Sequence, residues 1–419
     1  MDYSIFRRVF KSPAVISFII FLSVMGPGII TANVDNDAGG ITTYSLAGSQ
    51  FGYDLLWTFI PMIIALAVIQ EMGVRMGIVS GKGLADLIRE KVGIKLTFLM
   101  MIALLLANFG NVLAEFSGIA VSAGIFNVPR FIALPLAAFF VWLLVVKGTY
   151  KSVEKIFLMA SALYFSYIIA GFLAQPDWGL AAQSMIMPQI TLDAAYITMV
   201  IGLVGTTIAP WMMFYIQSSV VEKGISLKNL KYSKMDAVLG AIVVNIVAFF
   251  IVIACAATIH PTGIQVNNVA DVSMALAPLA GQYASILFAF GFLNASLFAA
   301  SILPLSTAYY VCESLGFEAG VSKSFREAPV FHGLYLGLII AAVIIILIPS
   351  VPLLSILYLS QVANGILLPF VLILMLLIIN DKKIMGEHVN TKLFNVIAVA
   401  TVIIVMGLSI GLLVTTFLR

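Results

Sequence analysis

Asp35 and Asp37, followed at once by Gly39 and Gly40, stand inside the first long apolar run of the chain. A carboxylate near the middle of a spanning helix costs roughly 3 kcal/mol on insertion scales, so its presence there demands a use. Glycine lifts the steric limits on the backbone, and a helix that opens at such a point turns its carbonyl oxygens inward. Acids and free carbonyls at mid-membrane make the donor set of a cation site. A re-entrant loop or an interhelical cap is the plainer alternative. Asp37 is the first candidate ligand. Asp35 would face the opposite side of an extended segment, so its expected role is to cap the second half-helix, one that Asp37 can share.

A second interruption is written as Gly202-Leu203-Val204-Gly205-Thr206-Thr207-Ile208-Ala209-Pro210-Trp211. Pro210 lacks an amide donor and clashes with the preceding turn, freeing acceptors there. Carbonyls near Thr206 and Ala209 are therefore further candidate ligands, and water would complete the shell. Glu115 lies deep in another apolar run, where it lines the cavity, pairs with the site or sits protonated against a neighbour. Gln361 offers a neutral oxygen, or an ordinary interhelical hydrogen bond. Glu71, Arg75 and Glu313 fall at span ends, where ion pairs are the common explanation. Cys255 and Cys312 have no ligand spacing and read as packing residues. His260, His332 and His388 fall in or beside loops, which excludes a His-based zinc site or an intramembrane His relay.

These residues need a scaffold, and composition says which. Of 419 residues, 62% are hydrophobic and 10% charged, so the bilayer is the solvent for most of the chain. Runs long enough to cross, about 17 to 25 residues each, divide it into eleven spans: Pro13–Gly48 (interrupted), Leu55–Ile78, Leu96–Phe126, Phe131–Val146, Val153–Leu173, Ala194–Val221 (interrupted), Ala237–Ile259, Ala275–Glu313, Phe331–Ile348, Leu353–Asn380 and Leu393–Leu418. With the N-terminus inside, twenty of the 22 Lys and Arg residues fall in cytoplasmic segments, Arg130 and Arg419 excepted. That is the bias of a plasma-membrane protein with a cytoplasmic N-terminus. Spans 1 and 6 run in opposite directions, and paired interrupted helices in inverted halves point to a secondary transporter with a midplane site. The expected fold class is an all-α integral membrane protein of eleven helices in a single domain. Its first repeat covers 13–173, its second 194–380, and 393–418 is an extra span. No Walker motif, dinucleotide fingerprint, nucleophile elbow or metalloprotease motif is present, so no enzyme, cofactor or nucleic-acid partner is expected.

Ala47-Gly48-Ser49-Gln50-Phe51-Gly52-Tyr53 resembles the signature of the Nramp family of divalent-metal transporters. Leu113-Ala114-Glu115, Ser360-Gln361 and Leu368-Pro369-Phe370 are similar to that family too. The resemblance covers spans 1 to 10 and implies a LeuT-like inverted repeat of five plus five helices in a bacterial inner membrane, working as a monomer. Where the family reads Asp-Pro-Gly-Asn, this chain has Asp37-Ala38-Gly39-Gly40, so Gly40 stands in place of a side-chain ligand. Where the family reads Ala-x-x-Met-Pro-His, the chain has Ala209 for the thioether and Trp211 for the histidine. Val112 replaces an Asp near the retained Glu115. Together these departures resemble the Nramp-related magnesium transporters.

A methionine sulfur suits Mn²⁺, Fe²⁺ and Cd²⁺ and gives nothing to Mg²⁺. An all-oxygen site with few protein ligands suits an ion that sheds water reluctantly. The expectation is Mg²⁺ transport, Mn²⁺ also, without proton movement, with Asp37, Thr206, Ala209, Gln361 and Gly40 at the ion and Trp211, Asp35 and Glu115 lining the site. The alternatives are a proton-coupled Mn²⁺/Fe²⁺ transporter, a sodium-coupled amino-acid symporter, and a membrane scaffold without transport.

Overall fold

The computed structural model describes residues 26–147, 164–191 and 193–417. The expected start of the first crossing at Pro13 lies outside the described residues, as do most of Val153–Leu173 and the residues Arg7, Arg8, Lys11, Lys151, Lys155 and Arg419. The described elements are helical. The first crossing is split into α1 (Pro27–Asp35) and α2 (Ala38–Phe51). Then come α3 (Phe59–Ser80), α4 (Leu84–Val92), α5 (Ile94–Ile125), α6 (Arg130–Lys147), α7 (Phe165–Leu173) and α8 (Trp178–Ile186). The second split crossing is α9 (Ala194–Thr207) and α10 (Pro210–Glu222). The chain continues through α11 (Leu230–Thr258), α12 (Ala284–Leu315), α13 (Pro329–Leu347), α14 (Leu353–Ile379) and α15 (Lys392–Phe417).

Eight helical stretches among the described residues are long and apolar enough to cross a bilayer. They match expected spans 2, 3 and 6 to 11. Of the others, α6 is apolar but shorter, and spans 1 and 5 run into residues outside the described set. Two helices of nine residues each fall where only loops were expected. In α4, Leu84, Ala85, Leu87 and Ile88 are buried, while Asp86 in its first turn and Arg89 and Lys91 in its last suit the helix dipole. The other is α8, capped by Asp177 through Leu180 N–H at 2.9 Å.

The half-helices sit in the middle of the bundle. Every residue of α2 from Ala38 to Ser49 and of α10 from Pro210 to Val220 is buried. With lipid as solvent, helices associate through close backbone approach rather than apolar burial alone. The tightest such crossing joins α9 to α14. A Cβ added to Gly205 would stand 2.0 Å from the Gln361 carbonyl oxygen and 2.4 Å from Gly365 N, backbone that cannot swing away. Gly205→Val should therefore push the second break off α14 and cost about 1–3 kcal/mol. Thermal unfolding of the purified variant in detergent checks this; an unchanged midpoint would show that the crossing has slack.

The basic residues gather at one end of the bundle. Lys91 bonds Asp381 at 2.5 Å, Lys234 bonds Glu71 at 2.7 Å, and Arg75 bonds Glu71 at 2.9 Å. Arg75 also donates to the His388 carbonyl and to Asn390 Oδ1, tying α3 to the segment before α15. Arg130 follows the far end of α5, so it stands apart from them. The ion-pair reading of Glu71 and Arg75 holds. His332 stands beside a loop as expected, buried in the first turn of α13 with its ring nitrogen 2.8 Å from the Lys323 carbonyl. Both cysteines are free and buried.

Candidate functional site

The first interruption is short. α1 ends at Asp35, Asn36 leaves the helix, and Asp37 is the N-cap of α2 in extended geometry. Its carboxylate accepts from Gly40 N–H at 2.6 Å. Of the two acids that could cap α2 it is Asp37 that does so, because its position next to Ala38 puts its oxygen over the free amides of the first turn. Asp35, one residue before the bend, has neither oxygen partnered although it is only 2% exposed. Asn36 Oδ1 is unpartnered as well. Sequence reasoning passed over Asn36, whose only signal was its place between two acids.

Gly39 and Gly40 do not open the helix as expected; both belong to the first turn of α2. Their lack of a side chain serves close approach instead. A Cβ on Gly39 would stand 1.9 Å from Gln361 Nε2, and one on Gly40 would stand 2.2 Å from the Asp35 carbonyl oxygen and 3.0 Å from Thr206 Oγ1. Gly40 thereby brings the end of α1, the start of α2 and the end of α9 together.

At the second interruption α9 stops at Thr207, Ile208 leaves the helix, and Pro210 begins α10 at a position where its missing amide costs nothing. Carbonyls in the last turn of α9, Thr206 among them, have no following helical turn to donate to them. The Ala209 carbonyl accepts from Met212 N–H at 3.1 Å and keeps one lone pair. Thr207 Oγ1 lies 3.0 Å from the hydroxyl of Tyr44, a buried residue within electrostatic reach of Asp35. Trp211 is buried with its ring 6.3 Å from that of Tyr215, and its carbonyl accepts from Ser306 Oγ at 3.1 Å. α1 and α9 both end here, so two negative helix-dipole ends converge on one polar space.

Glu115 closes the third side. It is fully buried on α5, and its Oε2 accepts from Ala38 N–H at 3.3 Å while Oε1 has no partner. Its carboxyl is within hydrogen-bonding reach of Asp37. Of the readings open to Glu115, packing of α5 on the start of α2 favours pairing with the site. Tyr164, buried with its hydroxyl unpartnered, lies within electrostatic reach of both carboxyls. Gln361 is drawn into the same region, but its Oε1 accepts from Asn364 Nδ2 at 3.1 Å, so its oxygen is already committed. Among the described residues, no three His, Cys, Asp or Glu side chains converge in metal-ligand fashion. A cation here would draw on backbone and amide oxygens and on water besides carboxylate.

Hydrogen bonds tie the half-helices to their neighbours on either side of the breaks. Toward the basic end, Gln217 of α10 donates to the Lys82 carbonyl at 2.9 Å and Ser218 donates to Glu313 Oε1 at 2.6 Å. Glu222 accepts from Tyr309 and from Ser322 N–H. Toward the other end, Trp57 Nε1 donates to the Tyr196 hydroxyl at 2.9 Å, and the His260 ring bonds the Ser49 carbonyl at 3.0 Å.

The model of the family described as natural resistance-associated macrophage protein-like, Nramp, matches residues 28–415. The chain belongs to the Nramp family. Divalent metal cation transporter MntH of Granulibacter bethesdensis is 26% identical over 406 residues, spanning 94% of this chain and 88% of the relative. MntH of Yersinia pestis is 25% identical, over 94% and 96%. The fold matches a solved manganese transporter of Eremococcus coleocola with TM-score 0.77 at 22% identity, covering 94% of this chain and 86% of that one. It also matches MhsT in complex with L-phenylalanine, with TM-score 0.62 at 14% identity over 93% and 98%. The LeuT-like architecture expected from the sequence is therefore the one adopted, and an Nramp chain is a membrane transporter without cofactor, not an enzyme. Gly40, Val112, Ala209 and Trp211, which the resemblance set apart from the family pattern, are all buried, and Gly40, Ala209 and Trp211 lie at the two breaks.

Proposed function

We propose that this chain carries divalent metal cations across a bacterial inner membrane by alternating access, as a monomer with its N-terminus in the cytoplasm. Repeats 13–173 and 194–380 would rock against one another about the two breaks. One observation carries the reading: buried Asp35 and Asn36 oxygens without a partner lie beside Asp37, between two negative helix ends. Unpaired carboxylate oxygens in such a place are costly unless a cation fills the space. The names of the MntH relatives agree on divalent metal. Asp37 and the Thr206 and Ala209 carbonyls are the proposed ligands, with Asp35 and Asn36 beside them and water completing the shell. Gly40 contributes no ligand; its part is to let the ends of α1 and α9 approach the start of α2.

Within that class the donor set is all oxygen and favours Mg²⁺, with Mn²⁺ also carried. Val112 and Trp211 replace the family's titrating partners, and two charges crossing at about 100 mV release roughly 5 kcal/mol without any proton. A second reading, Mn²⁺ moving with protons, has its own support. The solved neighbour is named a manganese transporter, and Asp37 and Glu115 form a carboxyl pair suited to passing a proton. Uptake of Mg²⁺, Mn²⁺ and Ca²⁺ into proteoliposomes holding a lumenal pH dye separates the two. Mg²⁺ uptake with no metal-dependent acidification is the expected result. Mn²⁺ uptake with acidification, and none of Mg²⁺, would establish the second reading.

A further inference from the structure

Four buried carboxamides form a file from the candidate site toward the basic end of the bundle: Gln361 and Asn364 on α14, Asn111 and Asn108 on α5. Asn108 Nδ2 donates to the Leu303 carbonyl at 2.8 Å and to Thr307 Oγ1 at 2.5 Å, both on α12. Asn111 Nδ2 donates to Asn108 Oδ1 at 3.2 Å and to Asn364 Oδ1 at 3.1 Å. Asn364 Nδ2 donates to Asn111 Oδ1 at 3.0 Å and to Gln361 Oε1 at 3.1 Å.

The two ends of a carboxamide have nearly the same shape, so its partners decide which way it faces. Here the decision is taken at one point. The Leu303 carbonyl can only accept, so Asn108 offers it nitrogen and keeps its oxygen for Asn111. Turning Asn111 over would set oxygen against oxygen. Asn111 and Asn364 exchange two hydrogen bonds, so Asn364 cannot turn alone, and its remaining N–H holds Gln361 by the oxygen. The nitrogen end of Gln361 donates one N–H to Ser360 Oγ at 3.3 Å and faces Gly39, where an added Cβ would lie 1.9 Å from Nε2.

We propose that this file is a positioning device for Gln361: it keeps the amide oxygen out of the coordination shell and presents a donor to the cation space. The inference rests on the divalent-cation reading of the two breaks. A donor beside the ion cannot ligate it, so the ion keeps a water where an oxygen would have displaced one. Asn108 acts from two turns away, about 10 Å along α5 from Glu115, and Asn364 acts through Gln361 alone.

The test is calorimetric titration of Mn²⁺ and Mg²⁺ into the full chain in detergent, as wild type, Asn364→Leu, Gln361→Leu and the double variant, with thermal unfolding of each. Asn364→Leu frees Gln361 to turn its oxygen inward. Mn²⁺ should bind roughly threefold to tenfold more tightly, the scale of one neutral polar contact, and the gain should vanish in the double variant. Asn108→Leu should give the same gain from the far end of the file, and it serves if Asn364→Leu does not fold. Unchanged or weaker binding in the folded single variants would overturn the proposal, as would a gain that survives without Gln361. If the wild type binds no divalent cation, the reading of the site fails first and this inference with it.

Discussion

Asp37→Asn should bring metal uptake into proteoliposomes down to that of empty vesicles while leaving the protein folded. Asp37 does two things at once, and the choice of asparagine separates them. Its carboxylate caps α2 through Gly40 N–H at 2.6 Å, a contact whose loss to alanine costs about 1 kcal/mol. Asparagine caps as well as aspartate and accepts the same bond, so α2 keeps its start. What asparagine removes is the negative charge beside the unpartnered Asp35 and Asn36 oxygens. A divalent ion stripped of even part of its water needs formal charge from the protein, and Asp37 is the proposed source of it. Alanine at the same position should lose uptake too, with a lower unfolding midpoint. Uptake by Asp37→Asn at near wild-type rate would move the essential charge to Asp35 or Glu115.

The two interruptions were legible because each breaks a rule of membrane helices: acids in an apolar run at one, proline after a glycine-rich turn at the other. The family signature after span 1 did the rest for the fold. What each residue does at the breaks was less legible. Asp35 and Asp37 differ by two positions, and which of them caps depends on where α2 starts, a boundary that pattern alone places only to within a few residues. Gly39 and Gly40 are equally good as a hinge or as a close-packing surface, and only the neighbouring Gln361 and Asp35 backbone decide the matter. Glu115 meets Ala38, the residue after Asp37, across 77 residues of chain, through a helix crossing that no local pattern encodes. The carboxamide file is of the same kind: Asn111 and Asn364 are 253 residues apart, and each reads alone as an unremarkable polar residue.

Ala209→Met should reverse the order of ion preference, strengthening Mn²⁺ and Cd²⁺ binding by roughly tenfold or more and reducing Mg²⁺ uptake. Ala209 is buried at the N-cap of α10, directly before Pro210. Its backbone is already held, by Met212 N–H on the carbonyl and by proline on the following residue, so the longer side chain enters on a fixed support. A thioether is a soft donor, which Cd²⁺ and to a lesser degree Mn²⁺ accept and Mg²⁺ does not. The flexible methionine also fills part of the space that a hydrated Mg²⁺ would need. Adding Gly40→Asn to restore the family's second ligand works against this outcome, because its Cβ would meet the Asp35 carbonyl oxygen at 2.2 Å. That collision is with backbone, so the double variant should bind every ion more weakly than Ala209→Met alone and unfold at a lower temperature. Calorimetry with Mg²⁺, Mn²⁺ and Cd²⁺ on both variants is the measurement. An unchanged order in Ala209→Met would mean that position 209 does not reach the ion, and selectivity would then rest with the carboxylates and the waters that the ion keeps.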